Sequence, residues 1–248
     1  MSHLILDIGN SRAKAAIIEN GMIEDFYTAD SIQQLAIADL CSKHNVDAAI
    51  ASVVGTQPDF KNLLPPRVYA RFHQLSHKSV LPITIDYDTP DTLGMDRIAA
   101  VIGARVACPY HPLLVVDAGT CITVDLLDGH NHYHGGAILP GIQMKLHALH
   151  DHTAALPLVS LTPEELEGSE ISPSVGKSTR ASIVAGVCNA SLFEIQGFID
   201  EYRKKHPSLK LFLTGGDSVF FAKRLFFPNF ANPSLIMFGL NKILEMNI

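Results

Sequence analysis

The stretch Leu4-Ile5-Leu6-Asp7-Ile8-Gly9-Asn10-Ser11 and its echo Leu114-Val115-Val116-Asp117-Ala118-Gly119-Thr120 decide the fold. Each is an apolar run that closes on an aspartate, a spacer, a glycine and a polar residue. Each leads into a second β-rich run, 12–19 or 121–127. Each then meets a turn dipeptide, Asn20-Gly21 or Asp128-Gly129, and a third run, 22–29 or 132–138. Asn-Gly and Asp-Gly mark hairpins because type I′ turns need positive φ. Both halves therefore open on a three-stranded meander with an aspartate and a glycine at its first bend.

Outward from these meanders the pattern predicts further elements. In the first half these are a helix over 31–43, a strand over 47–53 and a short helix start at Thr56 and Pro58. Strands over 67–74 and 82–87 follow, then a loop from Asp86 to Gly94 and a buried helix over 96–108. In the second half a helix follows Gly141, and residues 157–173 read as an acidic loop. A long helix spans Thr179 to Lys205, closed by His206-Pro207. A strand over 209–213 runs into Thr214-Gly215-Gly216-Asp217 and another helix, and an apolar helix covers 234–246. Strands mixed with helices in two similar halves predict an α/β architecture. The seam falls near Pro109-Tyr110-His111-Pro112, giving domains 1–112 and 113–248.

Composition narrows the function. The 248 residues carry a formal net charge of −6. No long basic run invites nucleic acid or an anionic membrane. Charges interrupt the apolar runs before membrane-spanning length. A strand begins by His3, which leaves no room for a signal peptide. Cys41, Cys108, Cys121 and Cys188 are widely spaced without a C-x-x-C, so they read as thiols in a reducing cytoplasm.

The bends carry the chemistry. Glycine lets backbone N–H groups approach phosphate, and aspartate can hold a cation directly or through water. Two such bends facing each other would suit a metal-bound nucleotide. Arg12 and Lys14 sit two apart on the expected second strand and share a face. His130, His132 and His134 alternate near a hairpin tip, and His147, His150 and His152 cluster at a helix end. Neither set has a familiar ligand spacing, so both read as solvated.

Six motifs stand in register: Asp7-Ile8-Gly9-Asn10-Ser11, Gly94-Met95-Asp96-Arg97, Asp117-Ala118-Gly119-Thr120, Gly135 to Gly141, Gly176-Lys177-Ser178-Thr179, and Thr214-Gly215-Gly216-Asp217. In this order the chain resembles the type III pantothenate kinase family over essentially its whole length. It departs from the family's commoner residues at Ser11, usually threonine, and at Ser178, usually asparagine. The resemblance implies the acetate-kinase/hexokinase/Hsp70/actin superfold, two RNase-H-like halves with ATP in the cleft between them. It implies phosphorylation of pantothenate, the first step of coenzyme A biosynthesis, by a cytoplasmic homodimer. The cofactors it implies are Mg2+ and a monovalent cation, K+ or NH4+.

By resemblance, Asp7, Ile8, Gly9, Asn10, Ser11, Arg12, Ala13 and Lys14 form the first phosphate loop, and Thr120 also meets ATP. Asp117 holds the monovalent cation. Asp96 is the catalytic base, and Tyr87, Gly94, Met95, Asp96, Arg97 and Thr179 contact pantothenate. Gly135-Gly136, Pro140-Gly141 and Gly215-Gly216 let backbone lie against adenine and ribose, and Asp217 meets a ribose hydroxyl or caps a helix. The apolar set of the long helix, Ile183 through Tyr202, is wider than one stripe, which suggests a partner subunit. Two rivals remain: a kinase-like accessory factor for transcription, and another small-molecule kinase of the same superfold. Intact Asp7, Gly94, Asp96, Arg97 and Asp117 favour the pantothenate kinase.

Overall fold

The structure, a computed structural model, describes residues 1–9, 12–168 and 173–248. In chain order the first elements are β1 (Ser2–Ile8), β2 (Ala13–Glu19), β3 (Met22–Ala29), α1 (Ile37–Lys43) and β4 (Ala48–Val53). Next come α2 (Phe60–Leu63), α3 (Pro66–Tyr69), β5 (Phe72–Gln74), β6 (Thr84–Ile85) and α4 (Met95–Ala107). The second meander is β7 (Leu113–Ala118), β8 (Cys121–Leu127) and β9 (His132–Pro140), followed by α5 (Ile142–Asp151) and α6 (Pro163–Glu167). The chain ends with α7 (Thr179–Lys205), β10 (Lys210–Thr214), α8 (Ser218–Ala222), β11 (Asn229–Ala231) and α9 (Leu235–Asn247).

These elements form two compact units, Met1–Pro109 with Ser234–Ile248, and Tyr110–Pro233. The first unit's sheet runs β3-β2-β1-β4-β5, and the second unit's strands run β9-β8-β7-β10-β11. In both, the first three strands are an antiparallel meander. In both, the opening strand pairs in parallel with the fourth, which pairs in parallel with the fifth. One topology is built twice. Leu4, Leu6, Ala15 and Ile17 anchor the core beneath the first sheet, and Leu114, Val116, Ile122 and Leu211 anchor that beneath the second.

The expected division at 113–248 needs correction, because α9 belongs to the first unit. The helix packs on α4 at a crossing where neither backbone leaves room for a side chain. A Cβ on Gly103 would stand 2.0 Å from the Leu235 carbonyl oxygen, and one on Gly239 1.8 Å from that of Ala99. His3 Nδ1 of β1 and Asn241 Oδ1 of α9, 2.7 Å apart, add a buried hydrogen bond.

Other expectations shift locally. The helix over 31–43 breaks into a 3-10 turn, Ile32–Leu35, and α1, because Ala36 takes φ 45° between them. The strand over 67–74 becomes α3 and the short β5, since Pro66 at the first helical position is pre-set for a helix. The loop over 157–173 contains α6, opened by a Thr162–Glu165 capping box. The long helix α7 keeps its expected bounds. It has the length and apolar content to cross a membrane, but Ile183, Val187, Leu192, Ile195 and Ile199 lie in its own unit's core. That core takes in most of the width of its apolar face.

Candidate active site

In the first unit, β1 ends at Ile8, and Gly9 N donates to Arg12 O at 3.0 Å. Asn10 and Ser11 lie outside the described residues. The strand β2 begins only at Ala13, so Arg12 stands exposed before it and is not a strand residue beside Lys14. Ala13 is buried in the core. Lys14 sits directly opposite Asp7 across the antiparallel ladder, with Nζ 3.8 Å from Asp7 Oδ2. Asp7 is only 7% exposed. Burial pushes its carboxyl above the ordinary range; Lys14 pulls it down, and the charge of Asp96 pushes it up again. The sheet and α4 thus bring Asp7 and Asp96 within electrostatic reach.

Asp96 is the second residue of α4, where the helix dipole favours a carboxylate. Its Oδ1 accepts from Arg97 N at 2.9 Å. Gly94 leaves that oxygen room: a Cβ there would stand 2.6 Å from it. Met95 is half-buried and Arg97 only 6% exposed. Tyr87 stands half-buried in the loop before a 3-10 turn, Pro90–Thr92, braced by Thr92 Oγ1 donating to Thr89 O at 2.9 Å.

In the second unit, Gly119 N donates to Cys121 O at 2.9 Å, and Gly141 N donates to Thr120 O at 3.1 Å. Gly215, at φ +88°, brings its backbone against the same bend. A Cβ there would stand 2.4 Å from both Ala118 O and Asp117 Oδ1. Asp217 N donates to Ala118 O at 2.9 Å. Asp217 precedes α8 without a capping hydrogen bond, and burial pushes its carboxyl up. Gly136 has a different reason to be glycine, since a Cβ would stand 1.7 Å from Val124 O of the neighbouring strand.

The register gives Asp117 two threonine neighbours, Thr123 on β8 and Thr214 on β10. Paired residues on adjacent strands present their side chains to the same face. Both hydroxyls are buried without a hydrogen-bond partner among the described residues. A carboxylate flanked by two such hydroxyls is an oxygen-only donor set, which suits a hard cation and not a soft metal.

Thr179 opens α7 and is exposed; Ser178 caps the helix, its Oγ accepting from Ala181 N at 3.2 Å. Beside it, the second unit holds a pocket of about 1140 Å³ between α5 and the start of α7, with Thr179 in its lining. The hairpin that carries His130, His132 and His134 closes around Asp128. Asp128 Oδ1 accepts from the backbone N–H of His130 and His132, each at 2.8 Å, and His134 Nε2 lies 3.2 Å from Oδ2. Burial alone would raise the Asp128 carboxyl, but these contacts bring it down to about 2. Among the described residues, no three histidine, cysteine, aspartate or glutamate side chains converge to hold a metal.

Two polar clusters went unread in the sequence. Lys145 of α5 donates to Ser191 Oγ at 2.9 Å and pairs with Glu194 of α7. Arg180 pairs with Glu165 of α6. The second had a visible signal, since Thr162-Pro163-Glu164-Glu165 carries the capping-box spacing and proline at the first helical position.

Comparison with known proteins agrees with this geometry. The family model for type III pantothenate kinase matches residues 3–201. A type III pantothenate kinase from Phocaeicola vulgatus is 40% identical over 99% of this chain and 98% of its own. A solved structure described as a conserved Baf family transcriptional activator from Campylobacter jejuni superposes with TM-score 0.62 at 24% identity, covering 98% of this chain and 97% of its own. A ROK family glucokinase from Streptomyces griseus, solved with glucose and AMPPNP, gives TM-score 0.52 at 11% identity, covering 98% and 99%. At those identities the structural likenesses speak for the fold alone, that of the acetate-kinase/hexokinase/Hsp70/actin superfold. With sequence likeness along nearly the whole chain, this protein belongs to the type III pantothenate kinase family.

Proposed function

We infer that the protein transfers a phosphoryl group from ATP to pantothenate, giving 4′-phosphopantothenate in the first step of coenzyme A biosynthesis, and that Asp96 is its base. The observation that carries the assignment is the Asp7–Asp96 pair, two carboxylates in mutual reach, with Asp96 fixed on a helix start beside the buried Arg97. Phosphoryl transfer passes through a loose transition state, so alignment and charge neutralisation dominate. Asp96 orients the primary hydroxyl and accepts its proton late in the transfer. Arg97 holds an anion, either the substrate carboxylate or the developing charge. Tyr87, Gly94, Met95 and Thr179 complete the proposed pantothenate contacts.

The bend from Asp7 to Lys14 is assigned to the phosphates, and Thr120 to ATP. A triphosphate beside carboxylates needs cations to offset repulsion. Asp7, already burdened by burial and by Asp96, is the carboxylate best placed to use Mg2+. Asp117, with Thr123 and Thr214 beside it, is assigned to K+ or NH4+. These cations supply charge neutralisation when bound.

The proposal includes a cytoplasmic homodimer. Support comes from Phe193, a large apolar residue of α7 that is 69% exposed, and from the apolar walls of the adjacent pocket. Sedimentation at micromolar concentration tests it; a mass near the 27.0 kDa of one chain refutes it.

A regulatory role is the second reading, prompted by the Campylobacter jejuni likeness. The retained Asp7, Asp96 and Asp117 favour the enzyme. The test is ATP consumption with Mg2+ and K+ against pantothenate, simple sugars and acetate. Turnover with pantothenate alone is the expected result. Asp96→Asn should then lower turnover on the order of 10²–10⁴-fold, the usual range for an acid–base group, while pantothenate binding largely persists. No pantothenate-dependent turnover in the unaltered protein would favour the regulatory reading.

A further inference from the structure

Thr179 sits at the exposed start of a helix, and a substrate contact there needs its backbone held still. The next residue does the holding. Arg180 reaches across to residues 157–168. Its Nη1 lies 2.9 Å from Glu165 Oε1, and its Nη2 lies 2.8 Å from Glu165 Oε2 and 3.1 Å from Ser160 O. This is the two-pronged guanidinium–carboxylate geometry that fixes orientation as well as distance. The same carboxylate accepts from Thr162 N at 2.7 Å, closing the α6 capping box. Arg180 holds the Glu165 carboxyl below the ordinary range, so the pair stays charged at neutral pH.

The partner segment is itself anchored. Val159 and Leu161 are buried in the second core. Arg224, two residues past α8 and also buried, donates to Glu165 O at 2.9 Å and Leu166 O at 3.2 Å, with its guanidinium 4.2 Å from the centre of the Phe220 ring. From below, Ser182 Oγ donates to Gly176 O at 3.4 Å, tying the approach segment to the helix's first turn. The α6 segment is thus a fixed strut, and Arg180 links the first turn of α7 to it.

We propose that Arg180 and Glu165 are positioning residues for pantothenate, holding Thr179 and the adjoining pocket rim in place. The proposal rests on the assignment of Thr179 to substrate. Arg180 is 47% exposed at its side chain, and pairs this open contribute little to global stability. The pair should therefore be felt in substrate affinity more than in melting.

The experiment compares Arg180→Ala, Arg180→Lys, Glu165→Gln, the Arg180→Ala/Glu165→Gln double variant and Thr179→Ala in the full chain. Arg180→Ala and Glu165→Gln should each raise the KM for pantothenate about 5–10-fold, with kcat, the KM for ATP and Tm nearly unchanged. The double variant should be no worse than either single, because the two act as one unit. Arg180→Lys keeps the charge but loses the fork, and should fall between. Hydrogen exchange at 177–182 should quicken in Arg180→Ala, independently of any substrate. If Thr179→Ala raises KM and Arg180→Ala does not, the proposal is overturned and the Thr179 assignment stands. If Thr179→Ala leaves KM unchanged, the assignment itself fails and the proposal with it. Additive losses in the double variant, or a fall in Tm matching the fall in affinity, would also overturn it.

Discussion

Asp7 and Asp117 hold the same station in two copies of one sheet, yet their neighbours differ. Across the antiparallel ladder Asp7 meets Lys14, and Asp117 meets Thr123. Across the parallel ladder Asp7 meets Ser52, and Asp117 meets Thr214. The first copy brings its own cation to a buried carboxylate, and the second surrounds its carboxylate with hydroxyls. The helices that follow the fifth strands differ too. The first, α4, opens on Met95-Asp96-Arg97, and the second, α9, opens on Leu235-Ile236-Met237 with no carboxylate. The duplicated backbone has kept its topology while the residues around the bend diverged, and the proposed base belongs to one copy alone.

Exchanging each aspartate for asparagine tests this contrast most severely. Asp7→Asn and Asp117→Asn should each lower kcat/KM on the order of 10²–10³-fold, as expected when charge complementarity to a transferring phosphoryl group is lost. Stability should separate them. The Asp7 pKa is raised in the fold, so the stability it contributes is present below its ordinary value near 3.8 and lost as pH rises through the folded value. At neutral pH the charged, buried form strains the ligand-free fold. Asp7→Asn removes that strain and should raise Tm by about 2–4 °C per kcal/mol relieved, more at pH 8 than at pH 3, below the ordinary carboxylate value. Asp117→Asn should bring no such gain. Differential scanning of both variants with chelator present decides it; an Asp7→Asn protein that melts lower at pH 8 would refute the buried-charge account.

Helix packing gives a second contrast. In the first unit α4 and α9 meet backbone to backbone at Gly103 and Gly239, whereas α7 fills the second core with Ile183, Val187, Ile195 and Ile199. Gly239→Ala drives a methyl into the Ala99 carbonyl and should lose about 3 kcal/mol or more, since an over-packed core must shift backbone to accept it. Urea unfolding measures this, and a loss below about 1 kcal/mol would mean that the crossing is looser than described.

The meanders were legible because alternation and turn dipeptides are local signals. The bounds of α7 were legible because His206-Pro207 stops a long apolar period. The return of α9 to the first unit was not, since its reason is a contact between Gly103 and Gly239, far apart in the chain. Residues 67–74 misled because a mixed stretch this short does not distinguish a strand from a helix turn, and Pro66 settled it. Arg12 was placed on the second strand, which begins one residue later, at Ala13. The site's six motifs were visible in the sequence. The threonines beside Asp117 were hidden, because strand register across β8 and β10 is not written in spacing.

Those threonines set the next test. If Thr123 and Thr214 help Asp117 hold a monovalent cation, Thr214→Val removes one oxygen while nearly keeping the shape. The K+ concentration for half-maximal activity should rise about 5–10-fold, roughly 1 kcal/mol, with kcat at saturating K+ close to normal. The equivalent change in the first copy, Ser52→Ala, should leave the K+ response alone. Equal responses from both variants would erase the distinction between the two bends.

The smallest effect returns to glycine, in the opposite sense. Gly197 lies on the exposed side of α7, and a Cβ there meets nothing within 4 Å. Its backbone is already helical, so alanine introduces no strain and removes freedom only from the unfolded chain. Gly197→Ala should therefore stabilise the protein by about 0.5–1 kcal/mol, the helix-interior difference between the two residues, against the large loss expected at Gly239. One substitution chemistry would then give opposite signs in the two units, each dictated by what stands where the methyl goes. Paired urea titrations of Gly197→Ala and Gly239→Ala measure both. Destabilisation by Gly197→Ala would show that this face of α7 is covered in solution, and the same variant's sedimentation mass would report whether a second copy covers it.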